Sequence, residues 1–175
     1  MPTGLRVDYA AEVIVEPAGG DGRRGSGYLI APRKVLTARH VVRDATAVQV
    51  RFNADRPGQT ECTAAVIWQH AENDIAVLAV PEAPPANPAE IGKVGERDAV
   101  IHAGAVGFPA FKMRIAPDGS RYRDAEHVHA TCAVLSNRRE GTLDLSVPPP
   151  APLANGSPWA AMSGAAVSAE DASSE

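Results

Sequence analysis

Residues 81–90 read Pro-Glu-Ala-Pro-Pro-Ala-Asn-Pro-Ala-Glu. Four prolines in ten residues fix φ and remove four backbone donors, so this stretch can enter neither a helix nor a sheet interior. It is extended and semi-rigid. The chain must therefore build its core on either side of it, as two lobes over residues 1–85 and 86–175. Within each lobe the apolar runs are short and bounded by Gly and Pro, a pattern of strands and turns rather than helices. Strands are predicted over 11–16, 27–30, 34–37, 47–52, 62–68 and 75–80 in the first lobe. The clearest is Ala47-Val48-Gln49-Val50-Arg51-Phe52, which alternates as a half-buried strand does. The second lobe gives strands over 98–106, 127–135 and 142–147, a proline-rich loop over 148–152, and a fourth strand over 164–168. The fold class predicted is all-β.

Charge and composition exclude several functions. The net charge is −4, with no basic footprint for nucleic acid. No apolar run approaches the length of a membrane span, so no membrane partner is expected. The first residues, Met1-Pro2-Thr3-Gly4-Leu5-Arg6, lack the apolar core of a secretory signal. Only Cys62 and Cys132 are present, too few for a disulfide-stapled secreted scaffold. Both are read as reduced, and the location expected is the cytoplasm.

Three segments carry chemistry. Leu36-Thr37-Ala38-Arg39-His40-Val41-Val42 holds a histidine, Asn73-Asp74-Ile75-Ala76-Val77-Leu78 an aspartate, and Met162-Ser163-Gly164-Ala165-Ala166 a serine. Nucleophilic hydrolysis needs a hydroxyl, an imidazole to take its proton, and a buried carboxylate to orient that imidazole. Taken singly, each has an ordinary reading. His40 could be a structural histidine, Asp74 a strand-start cap and Ser163 a turn residue. Their joint order favours a site.

With Gly25-Ser26-Gly27-Tyr28-Leu29-Ile30, these segments resemble the trypsin-like serine peptidases, in the flavour of bacterial intracellular trypsin-like peptidase domains. The resemblance runs from about residue 11 to 168. It implies two chymotrypsin-like antiparallel β-barrels of six strands, with the second appearing truncated because only four strands are read there. It implies His40 as general base, Asp74 as its orienting carboxylate and Ser163 as nucleophile. The N–H groups of Ala161 and Ser163 would form the oxyanion hole. Ala161 departs from the family's usual glycine, and a turn needing positive φ there costs on the order of 1 kcal/mol. Met162 replaces the aspartate that pairs with a new amino terminus in secreted relatives, so no activation cleavage is expected. Ser157 stands where the family floors its specificity pocket, and its neutral hydroxyl favours small or apolar side chains. Trp159 is a candidate for the substrate cleft or for core packing.

The partner implied is a protein or peptide substrate, together with a partner domain able to complete the second barrel. No cofactor is implied. His127 and His129 share a strand face, but no third ligand lies nearby, so no metal is expected. Gly25-Ser26-Gly27 lacks the Lys and helix of a phosphate loop. Arg23-Arg24 and Arg121-Tyr122-Arg123-Asp124 read as exposed loops. Two alternatives stand beside the protease. One is an inactive, pseudoprotease-type module that binds protein without cleaving it. The other is the protease part of a larger defence or signalling protein.

Overall fold

The computed structural model describes residues 5–54, 56–94, 100–150 and 156–169. Its first sheet contains β1 (Ala10–Pro17), β2 (Arg23–Ala31), β3 (Lys34–Ala38), β4 (Ala45–Phe52), β5 (Thr60–Thr63), β6 (Ala65–His70) and β7 (Ile75–Ala79). All neighbouring strands are antiparallel, in the order β5-β4-β1-β2-β3-β7-β6. The two outer strands, β5 and β6, are consecutive in the chain and separated only by Ala64. They are one bent strand, and Ala64 N–H donates to Val48 O at the bend, 2.8 Å. The sheet thereby closes on itself. All six strands predicted in this half are present, the fifth as the β5–β6 pair.

Alternation fills the barrel. Val13 and Val15, Leu29, Val35, Val50 and Phe52, Ala76 and Leu78 are fully buried inside it. Gly25 and Gly27 also face inward, where a Cβ would collide with Val41 and Val35 respectively. The proline segment lies along this barrel. Tyr9 Oη donates to Pro85 O, Cys62 Sγ to Glu82 O and Ala89 N–H to Ile30 O.

The second half holds β8 (Val100–Gly107), β9 (Met113–Ile115), β10 (Arg121–Arg123), β11 (Glu126–Ala133), β12 (Leu145–Ser146) and β13 (Ala166–Ala169). Four of these form an antiparallel sheet in the order β12-β11-β8-β13. The strand predicted from 98 is described only from Val100, since Asp98 and Ala99 lie outside the described residues, as do Ala151 and Pro152 of the second proline loop. The strand predicted over 142–147 is confined to Leu145–Ser146. One expectation is overturned. Arg121–Arg123 is not a loop but pairs with Met113–Ile115 as a hairpin.

The two sheets meet on the outer face of β1 and β2, where Ala10 packs with Val106 and Phe108. Glu12 is fully buried in this layer and ion-paired to Arg24, and to Arg51 at 3.3 Å. Arg24 is therefore a strand residue with a buried partner, not part of an exposed loop. Arg123 borders the cluster: burial and the Arg24 charge pull its guanidinium below the ordinary arginine value, against the pull of Glu12. Truncating one member of a buried pair strands the others, at about 3–5 kcal/mol. Glu12→Ala is thus expected to lower the thermal midpoint by roughly 10 °C at two to four degrees per kcal/mol. An unchanged melting curve would show that the two arginines find water instead.

Candidate active site

His40 lies on a single helical turn, α1 (Arg39–Val42), held down by the buried Val41 and Val42. A short helix leaves its first N–H groups without internal acceptors. Asp74, on the turn before β7, supplies them. Its backbone carbonyl accepts Arg39 N–H at 2.9 Å, and its Oδ1 accepts His40 N–H at 2.8 Å. Its other oxygen, Oδ2, lies 2.5 Å from His40 Nδ1. Asp74 reaches this position with φ at +51°, a left-handed conformation that Asp tolerates better than most residues.

Partial burial pushes the Asp74 carboxyl up. The hydrogen bonds from the His40 ring and backbone, with the charges of His40 and Arg39, outweigh it and hold the group below the usual carboxylate value. A carboxylate can only accept, so Nδ1 carries the proton and Nε2 is left with its lone pair outward. The pair's contribution to stability is present above the ordinary carboxylate pKa and fades as pH falls through the lower folded value. It is a small contribution, because the His40 and Asp74 side chains are 51% and 46% exposed. The buried carboxylate expected from sequence is half in water, because Asp74 sits at the barrel rim before β7 begins.

Ser163 reaches the same corner of the barrel on the turn preceding β13. Its carbonyl accepts Ser26 N–H at 2.9 Å. Gly164, with φ at +90°, is pressed against β2 and β3 so closely that a Cβ would overlap the Ser26 carbonyl oxygen and lie 2.9 Å from Ala38 N. Ala38 is two residues before His40. The Ser163 hydroxyl makes no hydrogen bond among the described residues, to His40 or to any other group. Met162 is held by packing, its sulfur filling the space above Gly107.

Ala161 has φ at +72°, so the methyl does carry the left-handed strain. The turn keeps its shape through its carbonyls. Ala160 O accepts Ala110 N–H at 2.8 Å, and Ala161 O accepts the Ser26 hydroxyl at 2.8 Å. A trans peptide whose carbonyl points one way aims its N–H the other. Among the described residues, the N–H groups of Ala161 and Ser163 donate to nothing. Two such N–H groups, the serine's own and one two residues before it, can take up a developing oxyanion.

Ser157 is exposed, its hydroxyl accepting Trp159 N–H at 3.2 Å. Trp159 is partly buried and stands edge-on to Phe111, ring centres 5.3 Å apart. It lines a cavity of about 550 Å³ with His127, His129 and Pro148–Pro150. The histidine rings lie 4.4 Å apart. Sequence reasoning missed Ser26, whose setting between two glycines reads only as a turn.

Comparison with known proteins identifies the fold and the family. A family model described as a trypsin-like peptidase domain matches residues 25–173. The serine endoprotease from Yersinia pestis is 18% identical with a TM-score of 0.63, over 92% of this chain and 49% of that one. The Rv3671c protease from M. tuberculosis in its active form is 21% identical with a TM-score of 0.55, over 72% of this chain and 48% of that one. Its inactive form gives 21% and 0.52, over 72% and 52%. The chain spans about half the length of these solved proteins. No curated protein matches it in sequence. At such identities the likenesses establish the fold, the chymotrypsin-like β-barrel. The matched family model covers most of the chain and supports a serine-protease kind of function. The chain belongs to the trypsin-like peptidase domain family.

Proposed function

We propose that this chain is a serine endopeptidase domain with its active site in the crevice between the lobes over 1–85 and 86–175. Ser163 Oγ attacks the peptide carbonyl, and His40 Nε2 takes its proton. The N–H groups of Ala161 and Ser163 receive the oxyanion. The amine leaves with the proton from His40, and an acyl-enzyme remains on Ser163. Water then attacks it by the same route, with Asp74 holding the imidazole throughout. The observation that carries this reading is the double grip of Asp74 on His40, through backbone N–H and Nδ1, which leaves Nε2 free.

The substrate is a protein or peptide. The neutral Ser157 favours small or apolar side chains before the cut, with Trp159 at the cleft. The two cysteines, unpaired in the structure, fit a reducing compartment such as the cytoplasm.

A second reading has its own support. The strained Ala161 and a Ser163 hydroxyl with no partner among the described residues fit a module that binds protein without cleaving it. Intact mass after fluorophosphonate treatment separates the two. One adduct on the parent chain and none on Ser163→Ala is the expected result. A folded parent that takes no adduct removes the peptidase reading and leaves the binding module.

A further inference from the structure

We infer that the Ser26 hydroxyl is a positioning group for the oxyanion turn, an inference that rests on the peptidase reading and deepens it. Ser26 is fully buried on β2, on the strand face that looks away from the barrel interior. Every polar atom it has is engaged. Its N–H donates to Ser163 O at 2.9 Å, and its carbonyl accepts the Thr37 hydroxyl at 2.7 Å. Its own hydroxyl accepts Phe108 N–H at 2.9 Å and donates to Ala161 O at 2.8 Å.

One hydroxyl therefore joins three pieces of chain: the barrel that carries His40, the Phe108–Ala110 corner after β8, and the turn that carries Ser163. Its orientation is forced. Because Phe108 N–H occupies a lone pair, the O–H is directed at Ala161 O. The flanking residues are glycines that face the barrel interior, where Val41 and Val35 fill the space a Cβ would need, so β2 lies close against the core on the side opposite the turn.

The strain at Ala161 gives this bond its purpose. Alanine at φ +72° is held where its own sterics would not leave it. Without the bond to its carbonyl, Ala161 relaxes toward negative φ, and its N–H swings off the oxyanion position. A glycine at 161 has no such preference and keeps the turn unaided. Ser26 and Ala161 therefore form a matched pair, in which the hydroxyl compensates for the methyl.

The test is a double-mutant cycle on the whole chain, read by the second-order rate of fluorophosphonate labelling at Ser163. Ser26→Ala is expected to slow labelling by about 10²-fold, the effect of a misplacement near 1 Å. In the Ala161→Gly background the same change is expected to cost under about tenfold, a coupling that independent structural damage does not produce. The pH profile of labelling stays as it is in the parent. Ser26→Cys, which keeps a weak donor in a similar volume, falls between parent and alanine and serves if the alanine variant does not fold. Equal losses in both backgrounds overturn the inference while leaving the peptidase reading intact. If the parent itself takes no label, the peptidase reading fails. The amide NMR signals of Ala161 and Ser163 then decide the positioning role alone. They should move in Ser26→Ala and return in the double variant, and signals that stay put overturn it.

Discussion

Asp74→Asn is expected to slow phosphonylation of Ser163 by about 10⁴-fold while leaving the chain folded. The argument lies in how the carboxylate divides its oxygens. Oδ1 accepts the His40 backbone N–H, and Oδ2 faces Nδ1. An asparagine has one acceptor and one donor. The backbone N–H can only donate, so it claims the amide oxygen, and the amide NH₂ turns toward Nδ1. Nδ1 must then accept, and the ring proton moves to Nε2. An imidazole protonated at Nε2 cannot take the serine proton. Stability is little changed, because the backbone carbonyl of residue 74 still accepts Arg39 N–H and asparagine tolerates a φ of +51°. Because the pair is half-exposed, the tautomer rather than lost charge attraction accounts for the effect. A variant labelled within tenfold of the parent would remove Asp74 from its proposed role.

Gly164→Ala should be the most damaging glycine-to-alanine change among the described residues. Its φ of +90° is strained for any L side chain. The added carbon would overlap the Ser26 carbonyl oxygen and come within 2.6 Å of Thr37 Oγ1 and 2.9 Å of Ala38 N. Two of these three atoms are backbone, in β2 and at the end of β3, and no rotamer change relieves the collision. The turn must lift from the barrel, which breaks the bond between Ser26 N–H and Ser163 O. Labelling is expected to fall by at least about 10²-fold, the effect of a displacement near 1 Å. The first barrel closes without this turn, so the loss should come with a near-native circular-dichroism spectrum. Full labelling of the variant would mean that the turn is not seated on the barrel in solution.

The strands of the first barrel are legible because its inward residues alternate and Gly or Pro punctuates each run, as in Ala47–Phe52. The Met113–Ile115 and Arg121–Arg123 hairpin was hidden because Arg-Tyr-Arg has the composition of a solvated loop. The burial of Glu12 was equally hidden. Alternation sends it to the outside of the barrel, and only β8, about ninety residues later, covers that outside. The pairing of His40 with Asp74 could be anticipated from residue type and order. The exposure of that pair could not, since it depends on which parts of the chain reach the barrel rim. The positive φ of Ala161 was foreseeable as a conflict between a methyl and a turn. The hydroxyl that holds the turn was not, because its partners lie 82 and 135 residues away.

The closure at Ala64 has a consequence for how sequence change can be absorbed. In an open sheet, a strand that slips by one position does so at the edge and disturbs one neighbour. In a closed ring there is no edge strand, and a slip that no bulge absorbs must travel round and return to its starting point out of phase. Each strand's inward set would turn outward in passing. Insertions in this half are therefore tolerable in the hairpin loops, or at the local register shifts the ring already holds at Glu16/Pro17, Leu29/Ala31 and Val66/Trp68. The single residue joining β5 to β6 acts as the fixed phase mark for the whole ring.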